Sequence, residues 1–488
     1  MKLKQKKQIL DLLKTLEDGV NYADRYKNNH LNAVKMLNDC VECLMFMATL
    51  LNEEKKVYRL ILKLKDILYA LTLKVEDSVL FQSTIFETKV LLVDVRDLIR
   101  DEIKTDLEIA FLPYKASMWD SLESIYREAE KDPNCTCFVV PIPYYEKNSS
   151  GEIVKFCYEG NQFPDDVNIT LFEMYDIEKR QPDIIYIHNP FDEYNTLTMV
   201  NPRYFSSNLA QYTDMLVYVP YYLAGSAETK EFNILPPLHN ATKLVVQSQA
   251  SKDSYIVSGM NTDKLLNLGS PKLDAMLNIL SEPNKVDIPY LLRKIPKNSK
   301  VILYSTGIFD LLSINTWIDN LEENLNYFTN KTECTFIWRP HPLTERTFKT
   351  MRSHLLKKYK EIEEKAKKAS NIIIDQSEDI YPAVLKSDGL ISDYSSVMLQ
   401  YILTGKPVLA YLNDDMVRED RYYLSDYLGC YLNKDTSLYQ FIEMVKSGED
   451  SKRSERINRF KNSVSNSDGS CGLMIHQKIK NELLANLF

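Results

Sequence analysis

Along the first hundred residues apolar positions recur every three or four, as in "HLNAVKMLNDCVECLMFMATLL" and "VYRLILKLKDILYALTLKV". That period marks helices that bury one face. Gly19 is the one glycine in this stretch, so little interrupts the helices. A helical bundle or long hairpin is expected over residues 1–104. No constellation of chemical groups falls there, so its expected roles are packing, oligomerisation or docking.

Near residue 105 the pattern changes. Short apolar runs bounded by turn residues replace the long amphipathic stretches: "DLEIAFLP", then "CTCFVVPIPYY", with the helical "KASMWDSLESIYREAEK" between them. A strand–helix–strand start of this kind opens a parallel sheet. Further strands are expected at "DIIYIHN" (183–189), "MLVYVP" (215–220), "KLVVQS" (243–248) and "KLLNLGS" (264–270). After a linker, "LRKIPKNSK" (292–300), a second series begins. Its strands are "VILYST" (301–306), "CTFIWRPH" (334–341), "NIIIDQ" (371–376), "GLISDY" (389–394) and "PVLAYL" (407–412). Helices are expected at "TFKTMRSHLLKKYKEIEEKAKKA" and "SSVMLQYILTG". The expected fold class is α/β, with two Rossmann-like domains of parallel strands over 105–290 and 291–488. In such an architecture the ligand cleft lies at the carboxyl ends of the strands.

Composition narrows the function. The formal net charge of −8 argues against general nucleic-acid binding, which needs a basic face. Eight cysteines are scattered without a framework, which fits a reducing cytoplasm. Cys40-x-x-Cys43 lies within an apolar helical pattern and has no second pair at zinc-finger distance, so both are expected as buried helix cysteines. No run reaches the roughly 18 apolar residues of a membrane span. The N-terminus "MKLKQKKQILDLLKTL" is basic and amphipathic. Its apolar stripe has two potential partners, an anionic membrane surface or a neighbouring helix. A cytoplasmic protein, peripheral at the inner face of the cell membrane, follows from the first.

Candidate chemistry gathers just past the strand ends: Thr306 and Gly307, Arg339 and His341, Ser392 and Asp393, and, in the first domain, His188 and Asn189. These ends converge on one crevice in a parallel sheet. In "LISDYSSVMLQYILTG" Ser395 and Ser396 stand at the start of a helix, where unpaired N–H groups favour an anion. Simple capping of the helix would also explain the serines. Asp393 is expected to orient the loop. In "WRPHP" two prolines stiffen the turn; Arg339 offers a planar fork for phosphate, and His341 a donor or a proton carrier. Together the two stretches suggest a diphosphate clamp. No P-loop, GxGxxG, HExxH or EF-hand pattern is present, and no metal or cofactor is expected.

The order "ILYSTGIFD", "FIWRPHP", "LISDYSSVMLQYILTGKPVLAYL" and "DGS", with "GSPKLDAML" (269–277) ahead of it, resembles the CDP-glycerol glycerophosphotransferase family of teichoic-acid biosynthesis. The resemblance is strong over about 265–470, weak over 105–264 and absent over 1–100. It implies a GT-B fold and transfer of glycerol phosphate, or a related alditol phosphate, from a CDP-activated donor to a glycan or lipid-linked acceptor, releasing CMP. It also implies that His341, Ser395 and Ser396 hold the donor diphosphate. Arg339, Ser392, Asp393, Thr306 and Gly307 join that site by position. The family's W-H-G-[TS] motif, whose histidine serves as general base, is replaced here by "LVYVPYYLAG" (216–225). His188, with Asp192 and Glu193 nearby, is the replacement base expected on sequence grounds; a structural histidine in a capped turn is the other reading. Gln400 stands where the family often has an acidic residue. A sugar-nucleotide glycosyltransferase and a nucleotide-binding protein without transferase activity are the alternatives. A UDP-sugar epimerase finds no match for its acid–base residues.

Overall fold

Four helices begin the chain: α1 (Leu3–Arg25), α2 (His30–Thr49), α3 (Lys56–Thr72) and α4 (Ser78–Glu102). Each packs against two others. Their helical periodicity is satisfied internally. Ile9, Leu13, Leu16 and Val20 of α1 meet Leu37, Cys40 and Leu44 of α2, Ile61, Leu64 and Leu68 of α3, and Phe81, Val95 and Ile99 of α4 in one core. Asp77 caps α4 by accepting the Val79 and Leu80 N–H groups. The apolar stripe of the basic N-terminal helix therefore lies in the bundle core rather than on a surface open to lipid. Lys6, on the same helix, is buried, and its ammonium donates to the Ile103 carbonyl at 2.7 Å, beyond the end of α4. Cys40 packs against Gly19 of α1: a Cβ on Gly19 would stand 2.6 Å from its sulfur. Burial pushes the Cys40 thiol up to about 12, as expected of a packing cysteine.

The computed structural model describes residues 1–51, 56–148, 150–224, 229–314, 316–377, 379–393, 395–411, 429–485 and 487. The chain groups into two units, one made of Met1–Glu108, Asp132–Thr136 and Ile479–Phe488, the other of Ile109–Lys131 and Cys137–Lys478. Among the described residues no helix is long and apolar enough to cross a membrane.

The strands are β1 (Leu107–Leu112), β2 (Cys135–Val139), β3 (Tyr144–Lys147), β4 (Ile153–Cys157), β5 (Ile184–Ile187), β6 (Thr198–Val200), β7 (Met215–Tyr218), β8 (Lys243–Val246), β9 (Leu265–Asn267), β10 (Lys300–Thr306), β11 (Cys334–Pro340), β12 (Ile372–Ile374), β13 (Gly389–Asp393), β14 (Val408–Tyr411) and β15 (Tyr431–Leu432). The first six-stranded sheet has the order β2-β1-β5-β7-β8-β9 and the second β12-β11-β10-β13-β14-β15. Pairing is parallel from β1 through β9 in the first and throughout the second. The strands are nearly wholly apolar because helices cover both faces. Each sheet reverses its strand order once, between β1 and β5 and between β10 and β13. Crevices for ligands form at these two switch points.

The chain then returns to the first sheet near its end. The Ser465 N–H donates to the Gln247 carbonyl, Asn466 to that of Leu268, and the Cys471 and Gly472 N–H groups to the Asp274 carboxylate. Gly269 makes this crossing fit: its φ is +88°, and a Cβ would lie 2.2 Å from the Ser465 oxygen.

Several details differ from the sequence expectation. A three-stranded antiparallel sheet, β4-β3-β6, was not foreseen, and neither was the two-residue β15. The helix expected over 347–369 is two helices, Thr344–Met351 and Leu356–Lys368, broken at Arg352, which leaves helical geometry and donates to the Leu312 carbonyl. The helix expected at 115–131 opens with a 3-10 turn at Ala116–Ser121.

Candidate active site

The second sheet's switch point collects most of the expected donor-side residues. Register places Ser305 beside both Arg339 and Ser392, and Thr306 beside Pro340, so β10, β11 and β13 end level with one another. The loops beyond them are then tied together. The His341 N–H donates to the Thr306 carbonyl at 3.0 Å. Asp393 Oδ2 accepts the Gly307 N–H and the Trp317 indole N–H, each at 3.0 Å. Asp393 is thus a buried brace between strand ends, and burial pushes its carboxyl up to about 6. These bonds join the end of β13 to the residues that follow β10.

The Ser392 hydroxyl is buried, donates to the Asp393 carbonyl and lies 3.1 Å from Ser395 Oγ. Ser395 precedes the helix Ser396–Ile402, yet its side chain makes no capping bond. Capping therefore does not account for this serine. Its hydroxyl and that of half-buried Ser396 stand beside first-turn N–H groups that have no helical acceptor. Tyr394, between the serines and Asp393, lies outside the described residues.

His341 is half-buried, and its Nδ1 accepts the Leu343 N–H at 3.1 Å. In the neutral ring this bond fixes the proton on Nε2, the nitrogen left to donate to a ligand. Burial first, then the positive charges of Lys115 and Arg339, lower its pKa to about 4, so the ring is neutral at pH 7. Arg339 is a different matter. Its guanidinium is buried and spent on protein groups: Asp375 Oδ2 at 2.6 Å, Ser377 Oγ at 3.1 Å and the Ser377 carbonyl at 2.7 Å. The fork expected to grip phosphate instead braces the 375–377 loop. Its positive charge is felt at His341.

On the first sheet, His188 is fully buried at the switch point beside the end of β1. Nε2 accepts the Tyr114 N–H at 2.7 Å, and Nδ1 lies 2.9 Å from Ser121 Oγ. The Ser121 hydroxyl is donated to the Met118 carbonyl, so His188 Nδ1 carries the proton. Both nitrogens are occupied and neither is presented to a substrate. Burial, with a smaller contribution from Lys272, lowers the pKa to about 3. Asp192 is also buried, with φ +44°, and accepts the Ser206 N–H and hydroxyl at 2.8 and 2.7 Å. Burial raises its carboxyl to about 6. No hydrogen bond joins His188 to Asp192 among the described residues.

A cavity of about 310 Å³ lies between the β1 and β11 ends, lined among others by Lys115, Gln162, Arg339, His341 and Thr344. Lys115 was not singled out from the sequence. The signal was available, since it follows β1 in "FLPYK", at a strand end like the others. Nearby, Lys272 and Tyr381 both bind Asp120, the lysine at 2.6 Å and the tyrosine hydroxyl at 2.8 Å. The Gln400 amide donates to that same hydroxyl at 3.2 Å. A neutral side chain at 400 avoids a second carboxylate beside Asp120.

Residues 224–480, more than half of the chain, match the family model described as CDP-Glycerol:Poly(glycerophosphate) glycerophosphotransferase. No curated protein matches the sequence. Among solved structures, UDP-GlcNAc 2-epimerase from Neisseria meningitidis bound to UDP-GlcNAc is similar at 13% identity and TM-score 0.50, over 77% of this chain and 100% of that one. The Methanocaldococcus jannaschii UDP-GlcNAc 2-epimerase in complex with UDP-GlcNAc and UDP gives the same four values. The wall teichoic acid polymerase TagF aligns at 17% identity and TM-score 0.49, over 86% of this chain and 99% of that one. The epimerase likeness shows a shared GT-B-type fold of two parallel-sheet domains and nothing of chemistry. Since the family model spans both the crossing at Gly269 and the braced strand ends at Thr306, His341 and Asp393, this chain belongs to the CDP-glycerol:poly(glycerophosphate) glycerophosphotransferase family and is a transferase.

Proposed function

We propose that the protein moves glycerol phosphate, or a related alditol phosphate, from a CDP-activated donor to a hydroxyl of a cell-surface glycan or lipid-linked precursor, at the cytoplasmic face of the membrane. One observation carries the reading. Within the family-matched segment, the His341 Nε2–H stands past the end of β11 and the Ser395 and Ser396 hydroxyls, with a helix start, past the end of β13, the two strands flanking β10, to whose end His341 and Asp393 are each hydrogen-bonded. These are donors without a fixed positive charge of their own, suited to the oxygens of a diphosphate.

In the proposed step the acceptor oxygen attacks the phosphorus bearing glycerol. The bond from that phosphorus to the bridging oxygen breaks, CMP leaves with the electron pair, and the acceptor proton passes to a base or to water. The donors above stabilise charge growing on the leaving phosphate, which is the main device in phosphoryl transfer. His188 does not enter as base. It fixes the Tyr114 N–H, and with it the loop that carries Lys115.

The test uses CDP-glycerol labelled in the glycerol with a glycerol-phosphate oligomer as acceptor. Label should move to the oligomer with one CMP released per transfer. Consumption of a UDP-sugar with no turnover of CDP-glycerol or CDP-ribitol would overturn the proposal.

A further inference from the structure

The cavity between the β1 and β11 ends contains several charged side chains, and all but one are answered by protein groups. Arg339 is paired with Asp375. Glu345 is paired with Lys349 and Lys360. Glu159 accepts the Tyr144 hydroxyl at 2.6 Å and the Ala116 N–H at 2.9 Å. Lys115 alone among these has no hydrogen bond or ion pair among the described residues. Its ammonium is half-buried, 5.5 Å from the Tyr114 ring centroid and 5.1 Å from that of Tyr144. Burial lowers its pKa, while Glu159 and Glu146 oppose this and Arg346 adds to it.

Removing a cation from water without a hydrogen-bonded counter-ion costs free energy, and the carboxylates of Glu159 and Glu146 offset that cost only through their charge. The two rings recover part of that cost. A binding anion would recover much more. Thr344 lines the same cavity and is 1% exposed, and its hydroxyl has no partner among the described residues. His341, with Nε2–H available, faces the same space and lies close enough for Lys115 to depress its pKa. Cation, hydroxyl and imidazole N–H line one cavity, and none of the three donates a hydrogen bond to a protein acceptor among the described residues.

We infer that Lys115 is an oxyanion-binding residue, its ammonium taking a phosphate oxygen opposite His341. The inference deepens the transfer reading above and rests on it for the identity of the phosphate. The oxygen belongs either to the donor diphosphate or to a phosphodiester of the acceptor; the chemistry recognised is the same. His188 sets its position indirectly, since the Tyr114 N–H it binds belongs to the residue just before Lys115.

The experiment compares wild type, Lys115→Met and Lys115→Arg as full chains, titrating pyrophosphate, CDP-glycerol and a short glycerol-phosphate oligomer by calorimetry. Loss of one charge-assisted bond predicts binding weaker by roughly 10- to 100-fold in Lys115→Met, with most of it restored in Lys115→Arg. Loss restricted to pyrophosphate and CDP-glycerol assigns the donor, and loss restricted to the oligomer assigns the acceptor. Equal binding of all three by wild type and Lys115→Met overturns the inference. A second measurement needs no variant: saturating pyrophosphate or oligomer should protect the wild-type Lys115 amine from acylation, read by mass spectrometry. Unchanged labelling with both overturns the inference as well. If pyrophosphate protects Lys115 while CDP-glycerol neither binds nor turns over, the transfer reading fails and the oxyanion site stands.

Discussion

His188→Gln separates a structural histidine from a catalytic one. In the wild type, Nε2 accepts the Tyr114 N–H and Nδ1 donates to Ser121. A glutamine Oε1 reaches the Nε2 position and keeps the first bond. The second is lost, at about 1 kcal/mol at pH 7. The pH dependence is more telling. The folded pKa of about 3 lies below the unfolded 6.5. The unfolded chain therefore binds a proton first as pH falls, and stability is lost below 6.5. Between pH 7 and pH 5 that loss amounts to about 2 kcal/mol from this residue alone. Glutamine does not titrate, so the variant escapes it. The buried carboxyls of Asp192 and Asp393 shift stability the opposite way over this range, but equally in both proteins, so they cancel in the comparison. Denaturant midpoints should show the variant weaker at pH 7 and stronger by about 1 kcal/mol at pH 5. Turnover at pH 7 should stay within about tenfold, whereas loss of a general base costs 10²–10⁴. A thousandfold loss of turnover at unchanged stability, with no crossing of the two pH curves, would refute the assignment.

Asp393→Asn keeps an oxygen for the Gly307 and Trp317 donors and removes a carboxyl raised to about 6. For such an acid, stability is lost as pH rises from the unfolded value through 6. The variant should therefore gain about 2 kcal/mol more over wild type at pH 8 than at pH 4.5, and equal pH profiles would count against the brace being buried. Tyr381→Phe deletes the hydroxyl between Gln400 and Asp120 and should lower stability by about 1.5–3 kcal/mol in chemical denaturation, with no change speaking against that link. Gly269→Ala meets both a positive φ and the Ser465 carbonyl, so its melting temperature should fall sharply; a wild-type melt would contradict the crossing at this point.

The strands were legible because each is a short apolar run closed by a turn, and all eleven marked in the sequence form. What escaped were elements without that signature: β15 is two residues long, and the β4-β3-β6 sheet has an exposed strand, Ile153–Cys157, whose pattern does not alternate cleanly. The rule that polar residues follow strand ends found Thr306, His341, Ser392 and Asp393, which the fold does bring together. It could not say which way a side chain turns. Arg339 and His341 are two residues apart, yet the first is paired with Asp375 while the second, among the described residues, keeps Nε2 without a protein partner. His188 satisfies the same rule from inside the core, where Tyr114 and Ser121 occupy it. Lys115 satisfies it too, but a lone lysine after a strand is common, and that its ammonium forms no ion pair among the described residues is a property of the fold. For α1, sequence offered lipid or protein as cover for the apolar stripe, and only packing distinguishes them.

The most direct test of the account is calorimetric titration of the intact protein with CDP-glycerol, CDP-ribitol, CMP, UDP and UDP-GlcNAc. A CDP-alditol should bind most tightly, and His341→Ala should weaken it by roughly tenfold or more through loss of the Nε2–H donor. Tighter binding of UDP or UDP-GlcNAc, or CDP-alditol binding that is indifferent to His341, would contradict it.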